Sequence, residues 1–150
     1  MEDIQDRLEL DSTLDEVGRC QAWAEAKAEQ HGLGEESRFA IRLCMEEALA
    51  NVILHGYRSE PGHPIVIRSS ASADSVFFSI EDNAPPFAPA DPLQAGNASP
   101  ASLETARPGG NGIRLLRHFA GSLSYERLPH GNRLIIGFPT HPTQPSRPLT

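Results

Sequence analysis

The amino-acid sequence predicts an α/β (α+β) two-layer sandwich, in which a mixed, largely antiparallel five-stranded sheet carries about three helices on one face. Five short runs show the period-two alternation or the β-branched and aromatic content that is typical of strands. Four of these runs form two pairs separated by short polar turns, which indicates two hairpins; two helical patterns precede the first pair and a third lies between the pairs. The length of 150 residues suits one domain with a single core.

The first half of the chain supplies a strand and two helices. Residues 7–13 alternate apolar and polar side chains, which predicts the first strand. A helix over about 14–30 follows, with Ser12 or Thr13 as a candidate N-cap, and the glycines of "HGLG" end it. The second helix is predicted from Glu35 to about His55, with Gly56 in the left-handed turn that closes it.

The remaining strands fall into two hairpins. "PIVIRSS" (64–70) and "SVFFSIED" (75–82) predict the first, with Asp82 at the end of its second strand. "SLSYERL" and "NRLIIGF", around the turn signal "PHGN", predict the second. A short third helix is predicted over 111–121, whereas the segment between Asn83 and Gly112 is rich in proline and is typical of a functional loop.

Composition excludes several classes of protein. The net charge is −7, and the sequence has no cluster of Lys and Arg, so we expect no direct nucleic-acid partner and consider a basic protein partner easier to accommodate. Cys20 and Cys44 lie inside helical patterns without metal-ligand spacing, which predicts buried thiols in a reducing cytosol. No apolar run is long enough to span a membrane, and the acidic start lacks the features of a signal peptide, so a cytoplasmic protein without a membrane partner is expected.

The stretch "EEALANVILHGY" (46–57) carries polar residues at intervals of four. At about 100° per residue, Glu47, Asn51 and His55 share one narrow strip of the helix, between two apolar arcs. Glu46 lies on another side, near Arg42, with which it could form a surface ion pair. The strip could be a solvated stripe, and His55 alone is more typical of a structural or capping group than of a catalytic one. A carboxylate and an amide that face a cleft could also serve an active site.

Two other segments favour that second interpretation. "PGGNGIRLL" (108–116) places glycines before a helix N-terminus, where free amide groups suit phosphate, although a plain turn would have the same pattern. Asp82 ends a strand and could accept a hydrogen bond from an exocyclic amine of a base, although an Asp-Asn turn is a common alternative. A triphosphate would bring Mg²⁺, for which Asn51 offers a carbonyl oxygen; Glu47 could bind a magnesium water or accept the proton of an attacking hydroxyl.

These three segments occur in a recognisable order. "EEALANVILHGY", then "EDNAPPF", then "GGNGIRLLRHFAGSLSYERLPHGNRL" resembles the N, G1 and G2 boxes of the GHKL ATPase superfamily, and most closely its anti-sigma-factor serine kinase branch. The resemblance implies an ATP-binding kinase domain over residues 1–138, with a lid over residues 84–110 and a disordered tail over 139–150.

The resemblance also implies a role for individual residues. Glu47 becomes the general base or water-positioning residue, Asn51 the Mg²⁺ ligand and Asp82 the adenine-binding carboxylate. The further nucleotide contacts are Ala84, Phe87, Arg107, Gly109, Gly110, Asn111, Gly112 and Ile113, with Arg107 a candidate for the γ-phosphate. The G1 box usually reads Asp-x-Gly, and Ala84 occupies its third position. If that position needs a positive φ, alanine would cost about 1 kcal/mol and weaken adenine binding.

In function, the resemblance implies a Mg-ATP-dependent kinase that phosphorylates a serine of a STAS-domain anti-anti-sigma protein, sequesters a sigma factor and forms a homodimer. A non-catalytic module that binds ATP and a partner without turnover is the alternative, and a structural domain that binds no nucleotide is a third. The sequence identifies neither the sigma factor nor the acceptor serine.

Overall fold

The computed structural model describes residues 6–85, 116 and 118–140. Its helical elements are a 3₁₀ turn (Leu14–Glu16), α1 (Val17–Gln30), α2 (Glu35–Asn51) and a π-helical turn (Val52–Gly56) that continues α2. Its strands are β1 (Arg7–Asp11), β2 (Pro64–Ala71), β3 (Ser75–Asp82), β4 (Ser122–Leu128) and β5 (Gly131–Pro139). The five strands and the first two helices therefore match the predicted elements.

The strands form one sheet in the order β1-β2-β3-β5-β4, and every neighbouring pair is antiparallel. Both predicted hairpins are confirmed, as β2 pairs with β3 and β4 with β5. Within the described strands the sheet is antiparallel throughout rather than mixed. The pairing of β3 with β5 places Asp82 opposite Asn132, at one end of the two central strands.

The core lies between the sheet and the helices. Side chains of β3 alternate strictly, so that Val76, Phe78 and Ile80 are buried on the helix side. The ring of Trp23 on α1 meets Phe78 edge to face at 6.4 Å between centroids. Because α1 and α2 also pack against each other, both helices cover the same face of the sheet.

The opposite face of the sheet carries charged and polar side chains together with apolar ones such as Phe77 and Ile135. On it, Arg133 of β5 contacts Glu81 at 2.9 Å and Glu126 at 2.8 Å, so that one guanidinium joins three adjacent strands. Both pairs are accessible to solvent, which screens them, and each contributes little to stability.

The predicted cap of the first helix is wrong. Thr13 occupies the N-cap position, but its side chain makes no capping hydrogen bond. The Ser12 hydroxyl donates instead to the carbonyl of Glu60 at 2.6 Å and accepts from the amide of His63 at 3.1 Å. Ser12 thus ties the start of the helical layer to the turn that precedes β2.

The end of the second helix also differs from the prediction. The chain does not reverse at Gly56, which is buried inside the π-helical turn. Within the described residues other than glycine, positive φ angles occur only at Arg58, with φ 55°, and Ser59, with φ 64°. The wider π turn carries the helical path past Gly56, because the Tyr57 amide donates to the carbonyl of Val52 at 2.8 Å.

Several predictions fall wholly or partly outside the described residues. Of the third helix, Leu116, His118 and Phe119 have helical backbone, and Leu116 is buried in the core. The predicted lid over residues 84–110 overlaps the described chain only at Ala84 and Pro85. The predicted tail over 139–150 overlaps it only at Pro139, the last residue of β5, and Thr140. Among the described residues, no helix is both long and apolar enough to cross a membrane.

Candidate functional site

The polar strip of α2 lies partly buried, as the helix geometry predicts. Glu47, Asn51 and His55 are all half-buried, whereas Glu46 is exposed. On one side of the strip the apolar arc is fully buried; on the other, Phe39 is 48% exposed, so the two arcs are not equivalent. Glu47 and Asn51 therefore occupy the border between core and surface, where a bound molecule could reach them.

The predicted ion pair between Arg42 and Glu46 is wrong. Arg42 contacts Glu25 on α1 at 2.9 Å, and its guanidinium lies 5.6 Å from the ring centre of Phe39. Helix packing explains the difference, because α1 brings a carboxylate within reach of Arg42. Glu46 is thus an exposed carboxylate next to Glu47.

The environment of Glu47 favours its protonated form. Burial raises the pKa of Glu47 above its ordinary value, and the negative charge of Glu46 raises it further. Burial also raises the pKa of the Cys44 thiol to about 12, with an added contribution from Glu47, which places that carboxylate near the buried thiol. A carboxylate with a raised pKa is a stronger base than an ordinary glutamate, which suits it to accept a proton.

Asp82 ends β3 and is only 4% exposed. Its Oδ1 accepts hydrogen bonds from the Ala84 amide at 2.9 Å and from the Asn132 side-chain amide at 2.8 Å. Burial raises the pKa of Asp82, while the side chain of Asn132, the amide of Ala84 and the amide of Asn132 oppose that rise. The carboxylate is thus fixed in direction by donors on both sides.

Asn132 was not among the predicted site residues. It is 2% exposed, and its Nδ2 donates to the Ala84 carbonyl at 3.1 Å as well as to Asp82. Its Oδ1 accepts a hydrogen bond from the Tyr125 hydroxyl. Asn132 belongs both to the turn signal "PHGN" and to the predicted strand "NRLIIGF", and in the structure it is the second residue of β5. A polar residue at an inward position of a strand was the signal that could have identified it.

Ala84 carries none of the strain that its position in the G1 box suggested. It is not among the residues with positive φ, and its side chain is 2% exposed within the core. The turn after β3 is held instead by the hydrogen bonds from Ala84 to Asp82 and from Asn132 to Ala84. An alanine is therefore compatible with this turn.

Tyr57 connects the end of the second helix to the same turn. Its hydroxyl accepts from the Asn83 amide at 2.7 Å and donates to the Pro64 carbonyl at 2.9 Å. Burial raises the pKa of Tyr57, the Asn83 amide opposes the rise, and the charge of Asp82 adds to it. The helix that carries Glu47 and Asn51 is thus linked, through one phenol, to the turn that carries Asp82.

Gly131 makes this arrangement possible by its small size. A Cβ atom at residue 131 would lie 1.8 Å from the carbonyl oxygen of Asp82 and 2.8 Å from the Cα of Asn83. Since real Cβ atoms do not approach that closely, only glycine lets β5 pass so near the end of β3.

The side chains present suit a magnesium nucleotide better than a metal held by protein alone. Within the described parts of the chain, no group of three or more His, Cys, Asp or Glu side chains could hold a metal ion. Mg²⁺ binds through one or two protein oxygens together with phosphates and water. The Asn51 amide can supply such an oxygen, and the Glu47 carboxylate can accept a hydrogen bond from a water on the ion. The other predicted contacts, Phe87, Arg107, Gly109, Gly110, Asn111, Gly112 and Ile113, lie outside the described residues.

Comparison with solved structures supports the fold. The catalytic domain of the histidine kinase ThkA superposes with a TM-score of 0.56 at 16% identity, covering 90% of this chain and 99% of that domain. The histidine kinase AdeS of Acinetobacter baumannii gives a TM-score of 0.50 at 14% identity, covering 90% and 68%. At such identities these likenesses show the fold alone.

Sequence comparison identifies the family as well as the fold. The family model of the histidine kinase-like ATPase domain matches residues 10–138. The serine/threonine-protein kinase BtrW of Bordetella bronchiseptica is 37% identical over 134 residues, which span 87% of this chain and 91% of BtrW. The chain therefore belongs to the histidine kinase-like ATPase domain family, as its three ordered motifs predicted.

Proposed function

We propose that this protein is a cytoplasmic, Mg-ATP-dependent protein serine kinase. One observation carries the proposal: Glu47, a half-buried carboxylate with a raised pKa, lies four residues before Asn51 on α2. A domain that only binds ATP needs no base at that position. The 37% identical relative BtrW is named a serine/threonine-protein kinase, which supports the same reaction.

Each described residue has a distinct role in the proposed reaction. Asp82 accepts a hydrogen bond from the exocyclic amine of adenine, which fixes the base at the end of β3. Glu47 accepts the proton of the substrate serine hydroxyl as the serine oxygen bonds to the γ-phosphorus. The bond from that phosphorus to the β–γ bridging oxygen breaks, and ADP leaves.

Asn51 is the proposed protein ligand of Mg²⁺. The ion, when bound, neutralises the charge that develops on the phosphate oxygens. Arg107 and the glycines at 109, 110 and 112 complete the proposed phosphate contacts, by resemblance to the family motif.

The proposed substrate is a serine of a STAS-domain anti-anti-sigma protein, and the proposed second partner is a sigma factor that a homodimer of this chain sequesters. Support comes from the resemblance of the three motifs to the anti-sigma-factor serine kinases. Phosphorylation would add negative charge to the STAS surface, and a chain with net charge −7 would then repel it. Release of one partner would leave the kinase available to the other.

The test uses the purified chain, ATP labelled at the γ-phosphate and a STAS-domain anti-anti-sigma protein from the same organism. We expect labelled phosphoserine that requires Mg²⁺ and is lost when the acceptor serine is changed to alanine. Calorimetry with Mg-ATP, run in parallel, separates the alternatives. Nucleotide binding without phosphoserine would indicate a regulatory binding module, and absence of binding would overturn the nucleotide site itself.

Asn51→Ala provides a matched test of the metal role. The variant should bind ATP without added Mg²⁺ as the parent does, and should lose most of the gain in affinity that Mg²⁺ gives to the parent. Equal Mg²⁺ dependence in both proteins would remove Asn51 from the proposed metal site.

A further inference from the structure

Asn132 has a fixed orientation that its neighbours impose. Two acceptors, the Asp82 carboxylate and the Ala84 carbonyl, lie 2.8 Å and 3.1 Å from one end of its side chain, so that end must be the NH₂ group. The opposite end is then the carbonyl oxygen, and the Tyr125 hydroxyl must donate to it. The chain Tyr125 to Asn132 to Asp82 therefore runs in one direction, from edge strand β4 through β5 to the end of β3.

This direction determines what the turn can offer to a ligand. Both N–H groups of the Asn132 amide are used inside the protein, on Asp82 and Ala84. The Ala84 amide is used on Asp82 as well. The donors nearest to Asp82 are thus spent on the protein, and the carboxylate remains as an acceptor.

We propose that Asn132, oriented by Tyr125, determines which nucleobase the site accepts: it holds Asp82 as a pure hydrogen-bond acceptor, which selects a purine with an amino group at position 6 over one with a keto group. The inference rests on the proposed function, because it assumes that the base of the nucleotide meets Asp82. Asn132 is a positioning residue in this scheme, since it acts through Asp82 and not on the base.

Adenine and hypoxanthine differ at position 6 in a way that makes the preference for adenine strong. Adenine presents an amino donor that a carboxylate can accept, whereas hypoxanthine presents a keto oxygen that would face the carboxylate with no proton between them. A site that hydrogen-bonds a donor of its substrate binds analogues without that donor far more weakly, because a buried group of the site is then left unpaired. We expect the parent protein to bind ATP at least about 100-fold more tightly than ITP.

Asn132→Asp tests the proposal with little change in shape. The new carboxyl group has no N–H donors, and two adjacent carboxyl groups share a proton because both cannot ionise so close together. When that proton lies on the Asp82 oxygen that faces the base, it can be donated to a keto oxygen, so the preference for ATP over ITP should fall at least tenfold. Tyr125→Phe leaves the amide oxygen of Asn132 without its donor, which loosens the amide although Asp82 and Ala84 still favour its orientation, and should lower the preference about threefold to tenfold.

The measurement is the ratio of dissociation constants for Mg-ITP and Mg-ATP, determined by calorimetry on the full chain. If Asn132 had only a structural role, its substitution would weaken the binding of both nucleotides equally and leave the ratio unchanged. An unchanged ratio in either folded variant therefore overturns the proposal. If Asn132→Asp does not fold, the ratio for Tyr125→Phe decides. A parent that binds ATP and ITP equally contradicts the inference alone, and a parent that binds neither contradicts the proposed function as well.

Discussion

The side-chain amide of Asn132 donates a hydrogen bond to the carboxylate of Asp82 at 2.8 Å, although fifty residues separate them in sequence. The antiparallel register of β3 and β5 pairs the two residues directly, and both are buried. A carboxylate held in this way cannot turn toward solvent. It is therefore preorganised to meet a donor group of a ligand at the end of the two central strands.

The first prediction concerns the charge of Asp82. In Asp82→Asn the amide oxygen can still accept from Ala84 and Asn132, which turns the new NH₂ group toward the base. ATP should then bind about 100-fold more weakly, because a charged acceptor becomes a donor that faces the amino group. Calorimetry with Mg-ATP measures the loss, and thermal unfolding should show a melting temperature no lower than that of the parent. A loss of affinity below threefold would contradict the role of Asp82.

A second prediction concerns Tyr57, whose hydroxyl joins the helix end to the turn after β3. Tyr57→Phe leaves the Asn83 amide and the Pro64 carbonyl without this partner, and should lower the free energy of unfolding by about 1–3 kcal/mol. Urea denaturation measures the change. We expect the affinity for ATP to fall as well, because the turn that carries Asp82 is no longer tied to α2. An unchanged affinity for ATP would mean that the hydroxyl only stabilises the fold.

The third prediction concerns the close approach of β5 to β3. Gly131→Ala places a methyl group against the Asp82 carbonyl and should cost at least about 3 kcal/mol of unfolding free energy, since backbone atoms must move apart. Gly18→Ala, in α1, is the control: a Cβ there meets nothing within 4 Å, and alanine should stabilise the helix by about 0.5–1 kcal/mol. Similar melting temperatures for the two variants would mean that β5 can shift without cost.

The fourth prediction follows from the raised pKa of Glu47. The ionised form is needed to accept a proton, so phosphotransfer should begin to fall, as pH decreases, at a higher pH than an ordinary glutamate would allow. Glu46→Gln removes a neighbouring negative charge, lowers the pKa of Glu47 and should move this acid limb to lower pH. The pH profiles of the transfer rate for the parent and for Glu46→Gln provide the measurement, and coincident limbs would contradict the assignment.

The raised pKa of Glu47 also affects stability, but in the opposite direction: lower pH slows the proposed transfer and raises the free energy of unfolding. A carboxyl group whose pKa is higher in the folded than in the unfolded state binds its proton more tightly when folded. The contribution of Glu47 to the free energy of unfolding should therefore increase as pH falls through its folded-state pKa. Glu47→Gln should reduce this part of the pH dependence of urea denaturation.

Local patterns in the sequence predicted most of the fold. Alternation identified β1, and β-branched or aromatic runs beside turn signals identified the other four strands. The helical periodicity together with the glycines at 32 and 34 bounded α1 and α2. The half-buried strip with Glu47 and Asn51 followed from rotation about one helix axis, which needs no knowledge of neighbouring elements. The family resemblance, which the comparisons confirmed, added the order of the motifs.

The predictions that failed depended on contacts between distant segments. The hydroxyl of Ser12 serves a turn 48 residues away instead of its own helix, and Arg42 pairs across the helix interface with Glu25. Asn132 and Tyr57 were missed for the same reason, because their partners are set by strand register and by the π-helical turn. Such contacts arise from packing, which local periodicity does not encode.

The most direct measurement compares two adjacent glutamates of α2 in a single-turnover transfer of labelled phosphate from Mg-ATP to the proposed STAS-domain partner. Glu47→Gln removes the proposed base, and Glu46→Gln, at an exposed position one residue earlier, is the matched control. We predict that Glu47→Gln lowers the rate by about 10²–10⁴-fold while calorimetry shows retained ATP binding, and that Glu46→Gln transfers at the parent rate near neutral pH. Equal rates for the two variants, or no phosphoserine from the parent protein, would contradict the assignment of Glu47 as the base of a protein serine kinase.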